Sequence, residues 1–136
     1  MPKNALDAID RKIIDCLQSD GRMSNQELSE RVGLSPSPCL RRVRQLETDG
    51  TITHYVALVD PDKVGLAVTA FVRVRLDQQD DRHLEDFETA VASFPEVMEC
   101  YLMTGEADYQ LRILVGSLTQ FEDVLRHRLT RVRGVA

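Results

Sequence analysis

Four arginines, Arg31, Arg41, Arg42 and Arg44, stand between residues 31 and 46 with no acidic residue among them. A guanidinium is a rigid fork of N–H donors that fits phosphate oxygens and the major-groove edge of guanine. Ser35 and Ser37 add hydroxyls beside them, and Pro38 and Gln45 flank the same side. A helix starting at Ser35 would also offer free backbone N–H groups to a phosphate. This set suits contact with a nucleic acid, not the making or breaking of bonds. The plainer alternative is a solvated helix face on which Glu47, three residues beyond Arg44, pairs with it. Arg42 lies nearer the apolar side than Arg41 and is expected to brace a DNA backbone instead of reading a base. Arg31 divides evenly between phosphate contact and plain surface.

A second group is Thr104-Gly105-Glu106-Ala107-Asp108-Tyr109. Glu106 and Asp108 could form an acid–base pair, but no nucleophile or metal ligands can be argued around them, so no catalytic residue is expected. Binding fits better. Glycine lets backbone amides approach a carboxylate, and an aspartate suits an ammonium group. Asp108 and the Gly105 loop amides are therefore the candidate small-ligand groups, with Thr104, Glu106 and Tyr109 beside them in the same stretch. The alternatives are a hairpin-turn aspartate and a core tyrosine. His54, His83 and His127 show no ligand spacing, and Cys16, Cys39 and Cys100 are far apart among apolar residues. They read as reduced core thiols, with no metal site, cofactor or disulfide expected.

The elements that must position these groups follow from periodicity. Ile9, Ile13, Cys16 and Leu17 share one face of a helix from about Ala8 to Ser19, closed by Asp20-Gly21. Ser24-Asn25-Gln26-Glu27 reads as a capping box, in which the serine hydroxyl and the glutamate side chain satisfy each other's backbone N–H. Leu28 and Val32 follow on the short helix it opens, and Gly33 ends that helix. Ser35-Pro36 then starts a third helix, serine as N-cap and proline at the first helical position. At 100° per residue, Cys39, Val43 and Leu46 lie within about 60° of one another, while Ser37, Arg41 and Arg44 lie opposite. Two helices joined by a short glycine-containing turn form a helix-turn-helix. Thr51 to Val59 is rich in β-branched and aromatic residues and is expected to form a ribbon or wing. Asp60-Pro61-Asp62 marks the boundary of a 1–60 domain, and residues 60–66 form a hinge.

Residues 61–136 alternate strand and helix patterns: strand 67–76, helix from Asp80 to Phe94 stopped by Pro95, strand from Val97 to Thr104, strand from Tyr109 to Val115, and helix from Ser117 to Leu129. That order, β-α-β-β-α, is a ferredoxin-like split motif without its last strand, which would begin at Gly134-Val135-Ala136. The second domain is thus expected to be truncated there. Phe71, Tyr101 and Met103 point to a second apolar sheet face. Helices cover only one face, so a second copy of the chain is expected on the other.

With 136 residues, 43% hydrophobic and 29% charged, the chain has the balance of a folded protein with room for one ordinary domain or two small ones. No apolar run is long enough to span a bilayer, and Met1-Pro2-Lys3-Asn4 has no apolar signal core. A cytoplasmic protein with no membrane contact is expected. The net charge of −5 argues against a uniformly basic coat. The charge is uneven, however: residues 1–60 carry eight Lys/Arg against nine Asp/Glu, and the remainder nine against thirteen. A local basic stripe on an acidic protein allows selective DNA binding without general adhesion.

The run Ser35-Pro36-Ser37-Pro38-Cys39-Leu40-Arg41-Arg42-Val43-Arg44-Gln45-Leu46-Glu47 closely resembles the recognition helix of the Lrp/AsnC family of leucine-responsive regulatory proteins. Leu6-Asp7-Ala8-Ile9-Asp10 looks like that family's start, and Thr104-Gly105-Glu106-Ala107-Asp108-Tyr109 is similar to the G-x-x-D-Y signature of its effector domain. The resemblance implies an α+β protein, an N-terminal winged helix-turn-helix over 1–60 and a C-terminal effector-binding and oligomerisation domain over 61–136. It also implies a transcription regulator, not an enzyme, that binds double-stranded DNA and answers to an amino acid or similar metabolite. Members dimerise through their C-terminal sheets and often assemble into octamers. Two alternatives stand beside this reading: a DNA-organising protein with little sequence preference and no effector, and a regulatory subunit of a metabolic enzyme.

Overall fold

The computed structural model describes residues 5–136. Met1–Asn4, expected to carry no signal core, lie outside the described residues. The chain divides into two compact units, one ending at Leu58 and the other running from Val59 to Ala136, against the 60/61 boundary expected. No helix among the described residues is long and apolar enough to cross a membrane.

The first unit holds α1 (Ala8–Ser19), α2 (Asn25–Val32) and α3 (Pro36–Thr48). Asp7 caps α1 by accepting the Asp10 N–H at 2.8 Å, and the Asp10 carboxylate accepts the Asp7 N–H in return. Two orphan donors of the first turn are thereby satisfied. Ser24 caps α2 through the Glu27 N–H at 3.1 Å. The expected return bond from Glu27 does not form. Its carboxylate meets Arg31, one turn on, at 3.0 Å instead, because an i,i+4 guanidinium competes for it. Gly33 closes α2 at φ +76°, a left-handed cap that a β-carbon would strain. Ile13, Leu28, Val32, Cys39 and Leu46 form the core, with Val43 and Ile52 packed against it. The seam expected of α3 thus faces inward, and each fully buried aliphatic side chain contributes about 1.5–3 kcal/mol.

The wing expected over Thr51–Val59 carries no strand. The Ile52 N–H bonds to the Leu46 carbonyl at 3.0 Å, after which no residue up to Val59 enters β pairing among the described residues. β-branched composition favours strand backbone, but a ribbon also needs a paired neighbour, and this unit supplies none.

The second unit opens with a short 3₁₀ turn (Pro61–Val64), followed by β1 (Val68–Val74), α4 (Asp81–Ala92), β2 (Val97–Leu102), β3 (Tyr109–Val115) and α5 (Leu118–His127). The strands form one antiparallel sheet in the order β1-β3-β2. Val72 pairs with Leu111 and Val74 with Tyr109, so alternate residues of both strands share one face. That face packs with Phe87 and Val91 of α4, Val124 of α5 and Leu129. Asp80 and Ser117, read from sequence as the first residues of their helices, serve as N-caps.

Gly134–Ala136, where a last strand was expected to begin, lie antiparallel beside Arg75–Asp77. Val135 bridges Leu76, the Asp77 N–H bonds to the Gly134 carbonyl at 2.7 Å, and the Ala136 N–H to the Arg75 carbonyl at 2.8 Å.

Candidate nucleic-acid interface

The outward face of α3 is built by the inward one. Burial of Cys39 and Leu46 fixes the helix's rotation, and that rotation turns Ser37, Arg41, Arg44 and Gln45 to solvent. These four, with Leu40 and Thr48, line a shallow hollow of about 380 Å³. Among the described residues neither Arg41 nor Arg44 has an ion-pair partner, and Glu47 is not drawn to Arg44. Two free guanidinium forks therefore stand one turn apart. No acidic residue lies in the first turn of α3. Ser35 occupies the expected N-cap position, and its hydroxyl makes no capping bond. That hydroxyl and the helix's free N–H groups remain available to a phosphate oxygen. Pro38 is half-buried at the start of the same helix.

Arg42 is placed otherwise than expected. Its Nη1 donates to Asp7 at 2.5 Å and to Asp10 at 3.1 Å, tying α3 to the capped start of α1. The guanidinium holds the Asp7 carboxyl below the usual carboxylate range, with the Asp10 backbone N–H adding to the effect. The two carboxylates in turn push Arg42 up. An arginine already bridging two acids is a brace within the protein. Arg31 is also engaged, by Glu27 on an exposed face.

Sequence reasoning missed Asn25. Its side-chain Nδ2 donates to the Pro36 carbonyl at 2.9 Å, joining the first turns of α2 and α3, while its Oδ1 is buried with no hydrogen-bond partner among the described residues. The asparagine at the first helical position was visible; its partner eleven residues on was not.

In the second unit the six-residue loop separates into different environments. Thr104, Gly105 (φ +100°) and Glu106 are exposed. Asp108 is half-buried, and its Oδ2 accepts the Leu76 N–H at 2.7 Å and the Gln79 side-chain amide at 3.3 Å. Its backbone bonds both neighbouring segments, the N–H to the Val74 carbonyl and the carbonyl from the Met103 N–H. Tyr109 is a core residue: its ring lies 4.6 Å from that of Phe87, and its hydroxyl donates to Glu88 at 2.7 Å. Burial, then the Glu88 carboxylate, pushes its phenol up.

On the sheet face opposite the core, Phe71 is 64% and Tyr101 51% exposed. Tyr101 and Arg112 both donate to Glu99 there, at 2.8 and 3.1 Å. Met103 lies beyond the end of β2 and is half-buried.

Three helices that turn two unpaired arginines outward, followed by a separate sheet unit, are the parts of a helix-turn-helix DNA-binding protein with a second domain. Residues 6–53 match the family model described as a winged helix-turn-helix DNA-binding domain, and residues 69–136 that of the Lrp/AsnC ligand-binding domain. The chain belongs to the Lrp/AsnC family. It is 44% identical over 134 residues to the leucine-responsive regulatory protein of Escherichia coli K12, an alignment covering 98% of this chain and 82% of that one. A transcriptional regulator of Neisseria meningitidis, solved with L-methionine, is 43% identical with a TM-score of 0.91, covering 97% of this chain and 85% of that one. The feast or famine regulatory protein of Mycobacterium tuberculosis, also complexed with L-methionine, is 36% identical with a TM-score of 0.88, covering 97% and 88%.

Proposed function

We propose that this regulator reads duplex DNA through Ser35, Ser37, Arg41, Arg44 and Gln45 of α3, and that an amino acid bound by its second unit changes its operator affinity. The observation that carries the DNA reading is the pair of unpaired guanidinium groups on an acid-free outward face. Arg41 and Arg44 suit guanine O6 and N7, and Ser35 and Ser37 suit the phosphates alongside. Such work belongs in the cytoplasm, with the DNA.

For the effector, the exposed Gly105 loop supplies backbone amides for a carboxylate. Asp108 has one oxygen committed to Leu76 and Gln79, and its Oδ1 accepts no hydrogen bond among the described residues, so that oxygen suits an ammonium group. Two similar structures hold L-methionine, which favours an apolar amino acid as the ligand class. The uncovered face carrying Phe71 and Tyr101 supports a homodimer, and a two-fold dimer would present two α3 helices to paired half-sites. Assembly of such dimers into octamers is the next level of this reading. Ligand binding shifts operator affinity only if it favours one placement of the α3 helices over another.

The test is a thermal-shift screen of the twenty amino acids, followed by titration of a selected operator against random DNA at fixed salt, with and without the stabilising amino acid. A ligand favouring the native state raises the melting point. The reading expects a stabilising amino acid that also changes operator affinity. Equal affinity for operator and random DNA, with no amino-acid effect, would instead indicate a DNA-organising protein.

A further inference from the structure

We infer that Leu40 is a specificity-determining residue that reads the C5 methyl group of a thymine. This inference rests on the proposal that α3 enters the major groove. Leu40 is the one apolar side chain among the six that line the hollow on α3; the others are Ser37, Arg41, Arg44, Gln45 and Thr48. Cys39 and Leu46 are buried in the seam, whereas Leu40 is 36% exposed and lies on the outward side of that seam. It stands one turn after Ser37 and one turn before Arg44, in the row of side chains that would meet the groove floor.

The chemistry of that floor names the partner. Base edges in the major groove carry hydrogen-bond donors and acceptors, which a leucine cannot satisfy, and one apolar group, the thymine methyl. Docking of α3 removes water from Leu40, and among the base-edge groups of the major groove the thymine methyl is the one that returns apolar burial for it. A guanidinium fork to guanine beside an aliphatic contact to thymine gives a half-site in which guanine and thymine lie within a few base pairs. The arginines alone would specify guanine.

The full chain is used to select a preferred duplex from a random pool. That duplex is then resynthesised with deoxyuridine replacing thymidine at one position at a time, which removes the methyl and leaves the pairing edge unchanged. At one thymine in each half-site the protein is expected to bind the deoxyuridine duplex about fourfold more weakly, the factor for burying one such carbon. Leu40→Ala is expected to bind both duplexes equally, and Leu40→Met to keep the preference. Equal affinity of the unaltered protein for thymidine and deoxyuridine at every position overturns the inference while leaving the DNA-reading proposal intact. An unchanged preference in Leu40→Ala also overturns it. Failure of the pool to yield any preferred sequence overturns the underlying proposal, and this inference with it.

Discussion

The side-chain amide of Asn25 donates to the backbone carbonyl of Pro36 at 2.9 Å, fastening the first turn of α2 to the first turn of α3. The orientation of a recognition helix depends on such a tie, because the outward residues can meet base edges only at one approach angle. Asn25→Ala is expected to lower the stability of the protein by about 0.5–1.5 kcal/mol, the net worth of one hydrogen bond. It should also reduce affinity for a selected operator more than for random DNA. Denaturant unfolding and paired DNA titrations check both. An equal loss on the two DNAs would assign Asn25 a purely structural role.

Arg42 is expected to behave as an internal brace. Asp7 is held below the ordinary carboxylate value of 3.8 in the folded state, chiefly by Arg42. The stability this contributes is fully present above that value and is lost as pH falls through the lower folded one. Melting curves of the unaltered protein and Arg42→Ala should therefore differ at neutral pH and converge under strong acid. A gap that stays constant down to the most acidic condition would refute the brace.

Asp108 can be tested by separating its charge from its shape. Asp108→Ala strands the Leu76 N–H and is expected to destabilise the protein by about 1–3 kcal/mol. Asp108→Asn keeps an acceptor for that N–H and should remain near the unaltered stability, yet lose the amino-acid response while operator binding persists. A normal ligand titration in Asp108→Asn would show that the ammonium partner lies elsewhere.

Much of this architecture was legible in one dimension. The seam of Cys39, Val43 and Leu46 and the alternation along β1 fixed which faces turn inward, because both depend only on periods of 3.6 and 2. What escaped was long-range polar pairing. Arg42 meets Asp7 across 35 residues and Asp10 across 32; Asp108 meets the Leu76 N–H, also across 32. No local spacing announces such contacts. The ribbon expected over Thr51–Val59 failed for a related reason, since strand composition does not supply a partner.

The exposed sheet face gives a prediction about assembly. Phe71→Glu places a carboxylate opposite Arg112 on the surface proposed to meet a second copy, where burying a charge would oppose association. Light scattering on the eluting protein should report a dimer for the unaltered chain and a monomer for the variant. A monomer in both cases, or a dimer in both, would remove this face from the interface.

The central claim is that Arg41 meets DNA while Arg42, its neighbour, does not. Binding of Arg41→Ala and Arg42→Ala to one selected duplex at one fixed salt concentration tests it most directly. The account predicts a loss of about 1–3 kcal/mol for Arg41→Ala, the cost of removing a base-reading arginine, and a clearly smaller loss for Arg42→Ala. Unchanged affinity in Arg41→Ala would contradict it.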